Sequence, residues 1–110
     1  MKRIFCDATC QYWEDTDGEC WGKILVYYPV NGKIRERVFK IINPGLRQFI
    51  NRFELEAIRW ANSLYKKKVI YSDSKTAVDW AKKEGIDVVW VGRDENLAGF
   101  ILEEYRLGLR

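Results

Sequence analysis

Two runs, Cys20-Trp21-Gly22-Lys23-Ile24-Leu25-Val26-Tyr27-Tyr28-Pro29-Val30 and Lys33-Ile34-Arg35-Glu36-Arg37-Val38-Phe39-Lys40-Ile41-Ile42, flank the dipeptide Asn31-Gly32. Both runs are rich in aliphatic and aromatic side chains. Asn-Gly accepts the positive φ of a tight turn, so the stretch predicts an antiparallel hairpin. Upstream, Ile4-Phe5-Cys6 is a short apolar run ending in Asp7, and the segment from Lys2 to about Thr9 reads as a strand buried on both faces. Gln11 to Glu19 reads as a polar, acidic loop carrying Glu14, Asp15 and Asp17, and Pro44-Gly45 breaks the strand pattern beyond the hairpin.

Downstream the period changes from two to about 3.6. Ile50, Ala57, Ile58, Ala61 and Leu64 form an apolar stripe that predicts a helix from about Arg47 to Tyr65, closed by Lys66-Lys67-Lys68. Val69-Ile70-Tyr71 is a strand ending at Ser72-Asp73-Ser74. Lys75 to Glu84 is a helix stopped by Gly85, Val88 to Val91 a strand, and Leu97 to about Leu107 a helix after the polar link Gly92 to Glu95. The order βββαβαβα predicts an α/β fold. Its mixed five-stranded sheet has three antiparallel strands, then two parallel, flanked by helices.

A chain of 110 residues is the size of one domain, here spanning 1–110. Hydrophobic residues at 47 % and charged residues at 32 % match a folded soluble domain, and no apolar run is long enough to cross a membrane. The start reaches Asp7 before a signal-peptide core can form. Cys6, Cys10 and Cys20 are too few and odd in number for a disulfide framework, which points to a reducing cytoplasm. Histidine is absent, which excludes histidine zinc sites and Ser-His-Asp or Cys-His catalysis. Chemistry must then run on carboxylates, amides, lysines or oxygen-bound metals. A net charge of +3 is a mild lean towards polyanions.

Three acids stand where solvated residues are not expected. Asp7 and Asp73 each end an apolar strand, and ligands gather at the carboxyl ends of strands in open sheets. Glu54 lies within the apolar stripe of its helix, whereas Glu56 points roughly 200° away. One inward carboxylate is ordinarily explained by an ion pair, here with Arg52 or Arg59. Three acids brought together repel one another unless cations sit between them. An all-oxygen donor set selects Mg²⁺ or Mn²⁺, and two such ions form the clamp used for in-line phosphodiester hydrolysis.

The blocks Ile4-Phe5-Cys6-Asp7-Ala8-Thr9, Trp21-Gly22-Lys23-Ile24-Leu25, Asn51-Arg52-Phe53-Glu54-Leu55, Ile70-Tyr71-Ser72-Asp73-Ser74-Lys75 and Val89-Trp90-Val91 together resemble the type 1 ribonuclease H family, in family order across nearly the whole chain. The resemblance implies a ribonuclease H-like fold. It also implies an endoribonuclease that hydrolyses the RNA strand of RNA–DNA hybrids with two Mg²⁺ ions (Mn²⁺ as substitute), leaving 3′-hydroxyl and 5′-phosphate ends. Asp7, Glu54 and Asp73 fall on the family's first three carboxylates. The implied setting is a cytoplasmic monomer whose partner is the hybrid and which engages no membrane.

At the family's fourth carboxylate this sequence departs. Asn96 stands where the last helix should begin, a favoured cap and an oxygen donor, and is expected as the fourth ligand. A purely structural cap is the other reading, Asp94 and Glu95 are possible stand-ins, and a shifted alignment puts Gly99 or Phe100 there. The resemblance further implies substrate contacts from Thr9 and Asn51, the latter read equally as a helix-start polar residue. Lys75, at the start of the second helix, is a candidate for a phosphate contact, with an ordinary exposed lysine as the other reading. Lys66-Lys67-Lys68 lies at the wrong end of its strand for the site and reads as a solvated helix end. Trp21, Trp60 and Trp90 are expected in the core, with Trp13 and Trp80 as minor stacking candidates. Cys6 reads as a small buried residue. Two competing classes are a hybrid- or duplex-RNA-binding module with an eroded metal site, and a nuclease of the same fold acting on DNA.

Overall fold

The chain forms β1 (Lys2–Trp13), β2 (Glu19–Tyr28), β3 (Lys33–Ile42), α1 (Phe49–Leu64), β4 (Lys68–Ser72), α2 (Lys75–Lys83), β5 (Val88–Trp90), a 3-10 turn (Arg93–Glu95) and α3 (Leu97–Arg106). This computed structural model describes residues 1–13, 19–42 and 49–109. The strands make one sheet in the order β3-β2-β1-β4-β5, with β1, β2 and β3 antiparallel and β4 and β5 parallel to β1. It is the α/β order that the pattern of apolar runs predicts. The acids Glu14, Asp15 and Asp17, the Pro44-Gly45 break and the expected helix start at Arg47 lie outside the described residues.

The hairpin forms with a longer connection than Asn-Gly alone suggests. Tyr28 pairs with Lys33, so Pro29 to Gly32 make a four-residue turn closed by Gly32 N donating to the Pro29 carbonyl at 3.2 Å. Pro29 has no N–H to continue the ladder, which ends β2 there. Only Gly32 (φ 68°) takes the left-handed conformation; the Asn31 side chain instead accepts from Lys33 N at 2.9 Å. β1 also runs further than expected, pairing with β2 as far as Trp13 opposite Glu19.

Alternation along β1 and β2 sends side chains to two cores. Ile4, Cys6, Ala8, Ile24 and Val26 face α1 and α2, where Phe53, Ala57, Ile58, Ala61, Ala77, Val78 and Ala81 cover them. On the other face Leu25, with Phe5 and Tyr27 at its edge, packs beneath Ala98, Ile101 and Leu102 of α3. Gly22 is required by this packing: a Cβ there would lie 2.4 Å from the Thr9 carbonyl and 2.7 Å from the Phe53 ring. Arg59 of α1 ties to Glu84 after α2 through two hydrogen bonds, at 2.9 and 2.6 Å.

The tryptophans divide differently from expectation. Trp60 and Trp80 pack partly buried against the core. Trp21 is 43 % exposed and Trp90 46 % exposed, so neither is a core residue. Among the described residues no helix is long and apolar enough to cross a membrane.

Candidate metal centre

β1 and β4 are parallel neighbours whose last register pair is Phe5 with Tyr71. Two residues beyond each member come Asp7 and Asp73, so the topology itself sets these acids side by side. α1 crosses the same end of the sheet and contributes Glu54. One carboxylate oxygen from each of Asp7, Glu54 and Asp73 lies within 4.8 Å of the others. The protein therefore has an acidic trio that can hold a metal ion. The sequence draws these residues from three separate segments.

The electrostatics of the trio are unfavourable without a cation. Glu54 is 5 % exposed, and its Oε2 has no hydrogen-bond partner. Burial, followed by the charge of Asp7, its hydrogen bond to Asp7 and the charge of Asp73, pushes its carboxyl well above the usual range; the Ala8 backbone opposes this. Asp7 is pushed from 3.8 up to about 6, chiefly by burial. A hydrogen bond with Glu54 opposes the rise, the charge of Asp73 adds to it, and the Ala8 backbone and Arg93 counter it. The ordinary explanation of an inward glutamate does not apply. Arg59 is committed to Glu84 and Glu56, and Arg52 is exposed on α1. Cys6, fully buried beside the trio, has its thiol pushed up by burial and then by the three carboxylates, and stays a neutral packing residue.

Asn96 reaches the site through its amide nitrogen. It is fully buried and caps α3, its Oδ1 accepting from Ala98 N at 3.2 Å. Its Nδ2 donates to Asp73 Oδ2 and to the Cys6 carbonyl, both at 3.0 Å. The side chain thus turns a donor towards the acids while its oxygen serves the cap, the arrangement of the structural-cap reading of Asn96. Asp94 and Glu95 are exposed on the 3-10 turn and stand apart from the trio. Gly99 of α3 also faces Asp7: a Cβ there would lie 3.1 Å from Asp7 Oδ2. The fourth wall is backbone.

Around the trio, Asn51 accepts a hydrogen bond from Ser74 Oγ at 3.1 Å, and the same hydroxyl caps α2 by accepting from Ala77 N. Asn51 is therefore linked to the residue that follows Asp73. Lys75 is exposed with its Nζ 4.8 Å from the Trp90 ring centroid, and Trp90 Nε1 donates to the Asp73 carbonyl at 3.1 Å. Thr9 is exposed on β1, two residues past Asp7. Trp90 is the neighbour that the sequence reading missed. Its position two residues before Gly92, at the exit of β5, is the signal that places it near the strand ends. Lys66, Lys67 and Lys68 sit at the opposite end of β4 from Asp73, as expected. Comparison with family models and with curated proteins gives no match for this chain.

Proposed function

We propose that the protein is a metal-dependent endoribonuclease that hydrolyses the RNA strand of RNA–DNA hybrids, leaving 3′-hydroxyl and 5′-phosphate ends. The observation that carries this reading is the buried Glu54 Oε2, without a hydrogen-bond partner in a cluster with Asp7 and Asp73, an oxygen that a bound cation would satisfy. The all-oxygen donor set suits Mg²⁺, with Mn²⁺ as substitute. Two bound ions would polarise the scissile phosphate and lower the pKa of the attacking water. Asp7, Glu54 and Asp73 would hold them, and the substrate phosphate would supply the negative charge that three carboxylates lack.

The remaining contacts follow from position. Asn51, held through Ser74 beside Asp73, would meet ribose hydroxyls of the near-A-form duplex, and exposed Thr9 would offer its hydroxyl along β1. Lys75 would meet a backbone phosphate. The resemblance in the sequence blocks supports the substrate class, and the free thiols Cys6, Cys10 and Cys20 suit the proposed cytoplasmic setting. A second reading, a hybrid- or duplex-RNA-binding module without catalysis, is favoured by one feature: α3 brings a glycine and an amide donor to the fourth side instead of a carboxylate.

Cleavage of end-labelled RNA–DNA hybrid, duplex DNA and duplex RNA, in Mg²⁺ and then Mn²⁺, separates these readings. The expected result is cut RNA from the hybrid alone, lost in Asp73→Asn. Binding without cleavage in either metal would establish the module instead, and cleavage of DNA the same-fold DNA nuclease.

A further inference from the structure

Each hydrogen-bonding atom of the buried Asn96 side chain has a defined partner. Nδ2 serves the Cys6 carbonyl and Asp73 Oδ2, and Oδ1 serves Ala98 N. Turning the amide over would set its oxygen against two acceptors and its nitrogen against a donor, so the network admits one orientation. The partners lie on three elements. Cys6 is one residue past the last β1–β4 register pair, where β4 no longer offers a ladder partner. Asp73 follows the last residue of β4, so no ladder fixes it either. Asn96 bridges the gap the diverging strands leave.

From this geometry we infer that Asn96 is a positioning residue of the metal centre. Its amide fixes the Asp73 carboxylate by one oxygen and contributes no ligand atom. The inference rests on the reading of the trio as a metal centre and goes beyond it in giving the fourth position a different task. A donor that orients a ligand carboxylate sets where the ion binds and how tightly, and its loss costs roughly 10–100-fold in metal affinity. Trp90 assists from the other side by donating to the Asp73 carbonyl, so both the side chain and the backbone of Asp73 are held from α3 and β5. Gly99, one turn along α3, lets that helix seat close enough to Asp7 for the Asn96 amide to reach.

The test is Mn²⁺ binding to the metal-free full chain, followed by electron paramagnetic resonance, for wild type and Asn96→Ser. Serine keeps a capping oxygen but is too short to reach Asp73. The expected outcome is a folded variant with Mn²⁺ affinity about 10–100-fold weaker. In parallel, the Asn96 side-chain amide protons of the wild type, followed by NMR, should stay protected from exchange at saturating Mg²⁺. Turning the oxygen to the ion would release them, so this arm decides even if the serine variant fails to fold. Unchanged affinity in Asn96→Ser, or loss of protection with Mg²⁺, overturns the positioning role and leaves the metal centre standing. A wild type that binds no Mn²⁺ overturns the metal centre itself, and the role of Asn96 with it.

Discussion

Without a cation the acidic trio should make the protein lose stability as pH rises, and the size of the loss follows from Asp7. Its carboxyl is carried from 3.8 to about 6 in the folded chain, so the folded state holds this proton more tightly than the unfolded state. The sign is then fixed: stability is greatest below the ordinary carboxylate range and is lost as pH climbs from about 4 through about 6. The whole displacement corresponds to about 3 kcal/mol, of which roughly half is lost between pH 5 and 8. Glu54 is displaced in the same direction and deepens the loss. Glu84, held low by Arg59, works in the opposite sense, adding stability as pH rises through the ordinary glutamate range. For a domain near 100 residues the Asp7 share alone is about 6 °C in melting temperature. The assay is thermal unfolding at pH 5 and pH 8, in chelator and in Mg²⁺ or Mn²⁺. An ion at about 100 times its dissociation constant restores about 2.7 kcal/mol, so it should raise the pH 8 midpoint by about 10 °C. Glu54→Gln should flatten the chelator profile and lose most of the ion's effect. A midpoint that is flat or rises from pH 5 to 8 in chelator, or that ignores divalent ions at pH 8, would refute the reasoning.

Other outcomes follow from single contacts. Asp7→Asn and Asp73→Asn should each reduce hybrid cleavage by more than the roughly 10–100-fold that losing a supporting partner costs, with wild-type circular dichroism confirming an intact fold. Gly22→Ala forces a methyl against the Thr9 carbonyl and the Phe53 ring, and should cost about 1–3 kcal/mol in urea unfolding. Arg59→Ala cuts the tie from α1 to Glu84; because the pair is exposed, the loss should be under about 1 kcal/mol and should shrink in 1 M salt.

The elements were legible because each is announced by local chemistry. The 3.6-residue stripe of α1 placed Ala57, Ile58 and Ala61 in the core, and Asn31-Gly32 between two apolar runs gave the hairpin. Ser74 before α2, and Gly85 at φ 80° beyond it, are stop and start signals that any order of strands would keep. Asp7, Glu54 and Asp73 were legible as candidates because an acid on an apolar face is an anomaly even in one dimension. Trp21 and Trp90 misled for the converse reason. Strand periodicity says which face a side chain takes, but not how completely that face is buried at that position.

The sequence by itself determined the order and type of the elements, the absence of any histidine chemistry, and which three carboxylates are out of place. Only the tertiary structure decided that the three meet, that Asn96 turns its nitrogen rather than its oxygen towards them, and that glycine forms the fourth wall. Local propensity fixes where a helix begins. The direction of a buried amide depends on which acceptors other strands leave unpaired, and those partners lie 23 and 90 residues away.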